Sequence, residues 1–269
     1  MAIQPTQPQG IGGVLDTTFQ LYKASIGALW PICLLMSAVG SPPSIYLMMN
    51  GVSGGGAAGA AQILTTMSDP VYWLTYIVSL AAIMWVVGAL YLKQNAIGID
   101  QEMSLGQALQ ASVGRILALL LMVIVVMIAL MIGFVLLLIP GIILLVSLML
   151  ATSLVMFEDK GPIDSVIGSH KLVWGNWWRT FVLLSVGGIL VFVIYMAVGL
   201  LVGLIIPIAG LGLNDVMLYS LLSGLVVGVV VNVLVTPFFS ALLIATYWDL
   251  KLRKEGGDLA ARVGALNAA

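Results

Sequence analysis

The ten Lys and Arg residues of this chain fall into four clusters separated by long apolar stretches, and counting helices puts every cluster on one side of a membrane. The clusters are Lys23; Lys93 with Arg115; Lys160, Lys171 and Arg179; and Lys251, Arg253, Lys254 and Arg262. The alternate connections, near residues 50–70, 139–141 and 207–215, contain neither Lys nor Arg. Basic residues near helix ends resist translocation, so the separation predicts six spans with both termini cytoplasmic. A count of five or seven helices would scramble it. Hydrophobic residues make up 61% of the chain and charged residues 8%, against roughly 45–50% and ~25% in a soluble domain. The spans therefore consume nearly all of the 269 residues. Basic residues occur only in short juxtamembrane clusters, so nucleic acid is not an expected partner.

The predicted spans are 26–49, 71–92, 116–138, 141–157, 180–206 and 216–248, and none of these interiors contains Asp, Glu, Lys, Arg or His. Pro140-Gly141 is expected to form the tight turn between the third and fourth. Pro42-Pro43 should kink or break the outer half of the first, because proline removes a backbone donor. The sixth would run roughly 50 Å at 1.5 Å per residue, longer than a ~30 Å hydrocarbon core, so it must tilt, kink at Pro237 or protrude. Residues 1–10, rich in Gln and Pro, are expected to be disordered, and residues 256–269 to form a short cytoplasmic tail. The N-terminus lacks a basic n-region and a small-residue cleavage site, so the first span should persist as an anchor.

An amphipathic segment precedes the first, third and fifth spans. These segments carry Ile11, Leu15, Phe19 and Tyr22; then Leu105, Ala108, Leu109, Val113 and Ile116; then Ile163, Val166, Ile167, Trp174, Trp177 and Trp178. Ser104 with Gln107 reads as a capping box, and Gly161-Pro162 as a helix start. Ser68-Asp69-Pro70 and Asn214-Asp215 read as N-caps of returning helices. The expected architecture is all-α, with six transmembrane helices in three hairpins, each preceded by an amphipathic interfacial helix. Such a rhythm would make 11–92, 103–157 and 162–254 an internal repeat inside one membrane domain, 11–255.

Few residues suggest chemistry. In the sixth span Ser220, Gly224, Gly228, Asn232, Thr236 and Ser240 recur at four-residue spacing. Small residues let helices approach closely in lipid, so packing is favoured, with a polar path as the alternative and Asn232 as its centre. Gly199 and Gly203 offer a matching small pair. Proton- and ion-coupled transporters usually place an ionisable group at mid-membrane, and here there is none. Glu158-Asp159 reads as a solvated helix terminus. His170 is the only histidine and Cys33 the only cysteine, so neither a His-based metal cluster nor an internal disulfide is expected. Gly54-Gly55-Gly56 reads as a loop. Lys171, Trp174, Trp177, Trp178 and Arg179 combine tryptophans suited to the head-group level with cations that favour anionic lipid.

Pro140-Gly141 between short spans is followed by Glu158, Gly161-Pro162, Ser169, Lys171-Leu172 and Gly175-Asn176-Trp177-Trp178. Tyr247, Asp249-Leu250, Arg253, Glu255-Gly256 and Asp258-Leu259 close the pattern. In these motifs, across roughly residues 10–259, the chain resembles the membrane-domain family of bacterial glycerophosphoryl diester phosphodiesterases and the related YciC-type inner-membrane proteins. The resemblance implies a bacterial cytoplasmic membrane. Some of that family carry a fused catalytic barrel, which this chain lacks, so its metal and acid–base residues do not carry over. The expectation is a non-enzymatic accessory or organising protein without a cofactor, contacting bilayer lipid (anionic phospholipid included), a second copy or another membrane protein. The alternative is a small transporter or flippase-like protein for a neutral or amphipathic substrate.

Overall fold

In the computed structural model, residues 2–50, 52, 57–208 and 216–268 are described, apart from the side chains of 57–61, 206–208, 216–223, 255 and 257–268. The described residues form eleven helices: α1 (Ile11–Gly40), α2 (Pro42–Met49), α3 (Ala57–Met67), α4 (Pro70–Gly98), α5 (Leu105–Val113), α6 (Ile116–Leu136), α7 (Leu138–Leu148), α8 (Ala151–Glu158), α9 (Pro162–Val173), α10 (Trp177–Ile208) and α11 (Val216–Ala268). Six helical segments are long and apolar enough to cross a membrane: Ile11–Met49, Pro70–Gly98, Ile116–Leu136, Leu138–Glu158, Trp177–Ile205 and Gly224–Lys254. This is an all-α, multi-pass membrane protein. Gly54-Gly55-Gly56 and Asn214-Asp215 lie outside the described residues.

Proline sets two of the breaks. An uninterrupted helix through residue 42 would need Pro42 to donate to the Ala38 carbonyl, which it cannot do. Helix α1 ends at Gly40, the Ser41 hydroxyl donates to Ala38 O at 3.0 Å in its place, and α2 starts at Pro42. Pro140 likewise cannot serve the carbonyl of Leu136, so α6 stops there. The reversal itself falls at Leu137, which is extended (φ −170°, ψ 157°), rather than at Pro140-Gly141. Pro140 instead occupies the first turn of α7, where its missing N–H costs nothing. Gly141 is required by the close return, since a Cβ there would stand 2.4 Å from the Phe134 ring.

The third break has no proline. The fourth span divides into α7 and α8 around Met149-Leu150, and the hydroxyl of Ser169 on α9 fills the gap. It accepts from Leu150 N at 3.2 Å and donates to Ser147 O at 2.7 Å. Helix α9 thus packs on α7 and α8 through buried Ser165, Val166, Ser169 and Val173, while Ile163 and Ile167 face outward. Helix α5 starts with the expected reciprocal bonds between Ser104 and Gln107. Asp69 caps α4 by accepting from Val71 N at 2.9 Å and from the Tyr46 hydroxyl at 2.5 Å. Those bonds, the Tyr46 one foremost, hold its carboxyl below the ordinary carboxylate range.

Three expectations are corrected. The first amphipathic segment is continuous with its span, and Val14, Thr18, Leu21 and Ser25 form its buried face, with Ile11 and Phe19 exposed. The N-terminal residues pack on the bundle instead of being disordered. The Ile3 and Gln4 amides donate to Gly98 O at 2.8 and 3.0 Å, and Gln9 is held by Asp249. Beyond residue 255 the backbone remains helical to Ala268, so the expected tail continues α11, which is also unbroken through Pro237.

Ser169→Ala should strand the Leu150 amide and the Ser147 carbonyl, each costing about 1–3 kcal/mol when buried. Thermal unfolding in detergent should show the loss in Ser169→Ala. It should be small in Ser165→Ala, whose hydroxyl bonds only Pro162 O of its own helix.

Candidate functional site

Side-chain amides join the main helices at two levels. Gln94 of α4 is fully buried between α1 and α11. Its Nε2 donates to Ser25 Oγ at 2.9 Å and to Pro237 O at 2.8 Å, and its Oε1 accepts from Ser240 Oγ. Nearer the opposite end, Asn232 Nδ2 donates to Ser37 Oγ of α1 at 3.0 Å, and its Oδ1 accepts from Thr236 Oγ1 at 3.2 Å. Ser240 Oγ also lies 2.9 Å from Thr236 O. Asn232, Thr236 and Ser240 are therefore one hydrogen-bonded line ending on Gln94. The sequence reading found three of its members and missed Gln94 and Ser25. The signal was an amide and a hydroxyl within apolar helices.

Beyond Asn232 the helices part. A cavity of about 760 Å3 lies between α1, α2, α4 and α11, with Ser37, Ser44, Val87, Gly228 and Asn232 in its lining. Leu34 and Leu225, more than a third exposed, stand at its rim. Its walls are apolar and its floor is neutral and polar. Asn232 uses one amide hydrogen and one acceptor position internally, so it retains a donor and a lone pair for a ligand.

This placement corrects the packing reading of the glycines. Among the described residues a Cβ at Gly199, Gly203, Gly224 or Gly228 would meet nothing within 4 Å, so none of them makes a close contact with a described helix of this chain. The tight glycines are others: a Cβ at Gly98 would stand 2.2 Å from the Trp248 ring, and one at Gly187 2.2 Å from Leu242 Cδ2. The side chain of Ser220 lies outside the described residues.

The opposite, basic end is built on two carboxylates. Asp249 is fully buried, and its Oδ1 accepts from Gln9 N at 2.8 Å. Its Oδ2 accepts from Arg179 Nη2 and Arg253 Nε, both at 3.0 Å. Both arginines also donate to Gln9 O. Arg179 is thus an internal ion-pair residue, not the head-group contact read from sequence. Removing either arginine leaves Asp249 with the other and with the Gln9 amide, so the loss should stay below the ~3–5 kcal/mol of a buried pair broken outright. Glu158 is the second hub, accepting from Tyr247 OH at 2.6 Å, Lys251 Nζ at 3.1 Å and Lys160 Nζ at 2.7 Å. It is bonded rather than merely solvated. Asp159, in the left-handed region at φ 53°, pairs with Arg115 at 2.8 Å.

The remaining head-group candidates divide. Trp174 and Trp178 are 60% and 74% exposed, as residues facing lipid would be. Trp177 is half-buried, stacked on Phe181 at 5.2 Å, and its Nε1 donates to Ile143 O at 3.2 Å. Lys171 lines a pocket of about 250 Å3 with Lys160, Lys251, Lys254, Glu158 and Gly168. His170 lies against Trp174, ring centres 5.1 Å apart. No group of three His, Cys, Asp or Glu suited to a metal ion occurs among the described residues.

Replacing Gly98 by Ala should force Trp248 aside and destabilise by about 1–3 kcal/mol. Gly228→Ala should be neutral or slightly stabilising, since Gly costs a helix interior ~1 kcal/mol relative to Ala. Paired melting curves in one detergent compare them directly.

A family model described as "Domain of unknown function (DUF7847)" matches residues 67–250, more than half of the chain. No curated protein and no solved structure matches it.

Proposed function

We propose, from the premise that the chain belongs to the DUF7847 family, that it is a non-enzymatic, lipid-contacting accessory protein of the bacterial cytoplasmic membrane. The compartment is proposed from the motif resemblance to the glycerophosphoryl diester phosphodiesterase membrane domains and YciC-type proteins, and that resemblance is itself part of the proposal. The cavity above Asn232 carries the reading: it holds a neutral amphiphile, with an acyl chain between α1, α4 and α11 and a hydroxyl or ester carbonyl on the Asn232 amide. Apolar walls favour the chain, and a floor without ionisable groups favours an uncharged polar group over a phosphate. The bonded groups around Gln94 close the route toward the basic end, so occupancy fits binding better than permeation.

The probe is a photoactivatable diacylglycerol added to the purified protein in mild detergent. It should crosslink to peptides containing Ser37 or Gly228. Gly228→Phe, which points a ring into open space, should cut crosslinking roughly tenfold, the effect of 1.4 kcal/mol, with the melting temperature retained. Undiminished crosslinking in that variant would remove the cavity from the reading. The second reading, flippase-like movement, draws on the polar line from Asn232 through Thr236 and Ser240 to Gln94. It would overtake the first if liposomes showed transbilayer movement of the same lipid that Asn232→Leu abolished.

Both termini are proposed to be cytoplasmic, because every basic connection shares one side. Cysteines introduced at Asn50 and Ser68, in a Cys33→Ala background, should react with an impermeant thiol reagent in intact cells, while one at Gln101 stays protected. Labelling of Gln101→Cys before cell lysis contradicts the orientation.

A further inference from the structure

We infer that the pocket between α8, α9 and α11 is a binding site for a phosphate group, with Lys171 and Lys254 as the residues that grip it. Four lysines, Lys160, Lys171, Lys251 and Lys254, line about 250 Å3, and Glu158 is the one carboxylate in that lining among the described residues. That carboxylate is already engaged: Lys160 and Lys251 bond separate oxygens of it, and Tyr247 donates to the same oxygen as Lys251. Glu158 therefore fixes two of the lysines in place, and Lys171 and Lys254, which make no ion pair among the described residues, are left to meet an anion.

The geometry sets its size and kind. The pocket is smaller than the ~300 Å3 at which sites for drug-sized ligands begin, so it suits a compact group such as a phosphate with its ester carbons. Gly168 makes the floor. A Cβ there would stand 2.6 Å from Leu154 Cδ2 and 3.3 Å from Lys160 Nζ, so a larger residue would displace Leu154 and press on Lys160. Leu154 and Leu172 supply an apolar side. Ile163 and Ile167 on α9, and Trp174 directly after it, are exposed, which suits a pocket at a lipid head-group level. Basic pockets between membrane helices bind anionic head groups by this arrangement. The site is distinct from the cavity beyond Asn232, and neither inference depends on the other.

Native mass spectrometry of the full chain in detergent, with added phosphatidylglycerol or phosphatidylcholine, tests it. The protein should retain phosphatidylglycerol preferentially. Lys171→Ala combined with Lys254→Ala should weaken that retention roughly thirtyfold, about fivefold per lysine, without lowering the melting temperature. Lys23→Ala, which removes an exposed cation elsewhere, should leave it unchanged. A parallel titration with inorganic phosphate distinguishes the sources: displacement of phosphatidylglycerol at millimolar phosphate assigns a free phosphate, and persistence assigns the lipid head group. Equal retention by the wild type and the double variant, or an equal fall in Lys23→Ala, overturns the site. Because the diacylglycerol crosslink reports the other cavity, loss of one signal with the other intact identifies which reading has failed.

Discussion

A polar side chain within a membrane bundle must find its partners inside the protein, and Gln94 does so by joining three helices at once. Its amide takes the Ser25 hydroxyl from α1, and the Pro237 carbonyl and Ser240 hydroxyl from α11. In lipid the helices gain little from excluding water, so close packing and such bonds decide which faces meet. Each bond averages only about 0.6 kcal/mol. The cost of leaving the amide unpaired is larger, and that fixes the register of α1, α4 and α11. The cavity begins where this pairing ends.

The two ends of the bundle are consequently different materials. Toward the basic end, Gly98 and Gly187 admit Trp248 and Leu242 at distances that leave no room for a methyl group. Asp249 draws Arg179, Arg253 and the Gln9 backbone into one buried network, strapping the N-terminal segment across the helices. Toward the opposite end, the glycines of α10 and α11 face open space and the apolar cavity takes the place of contacts. The open apolar cleft thus ends on the neutral amide of Asn232, and the charged groups lie at the far, tightly packed end of the bundle. Helix α9 contributes to both kinds of surface, with Ser169 mending a broken span on one face and Ile163 and Ile167 exposed on the other.

Much of the fold was legible because membranes restrict sequence severely. The absence of ionisable residues over six long stretches required helices, since no other structure within one segment satisfies its own backbone in hydrocarbon. The cap at Asp69, the Ser104–Gln107 box and the break at Pro42 were equally readable, because each depends on donors and acceptors a few residues apart. The candidate site was legible only in fragments. Asn232, Thr236 and Ser240 stood out by their spacing, and Lys171 by its tryptophan neighbours, but spacing cannot say what lies across the interface. The four-residue row suggested close packing, but among the described residues no atom would come within 4 Å of a Cβ at Gly224 or Gly228.

The sequence by itself determined the all-α class, the number of spans and the local signals that start and stop helices, because these follow from chain-local hydrogen bonding and transfer into lipid. Tertiary structure alone decided that Arg179 turns inward to Asp249, 70 residues away, and that Ser169 repairs the gap between α7 and α8. It also decided that Lys160, Lys171, Lys251 and Lys254 surround one pocket. The reason is physical: a charged or polar side chain takes its role from the partner that meets it, and those partners come from helices that only packing brings together.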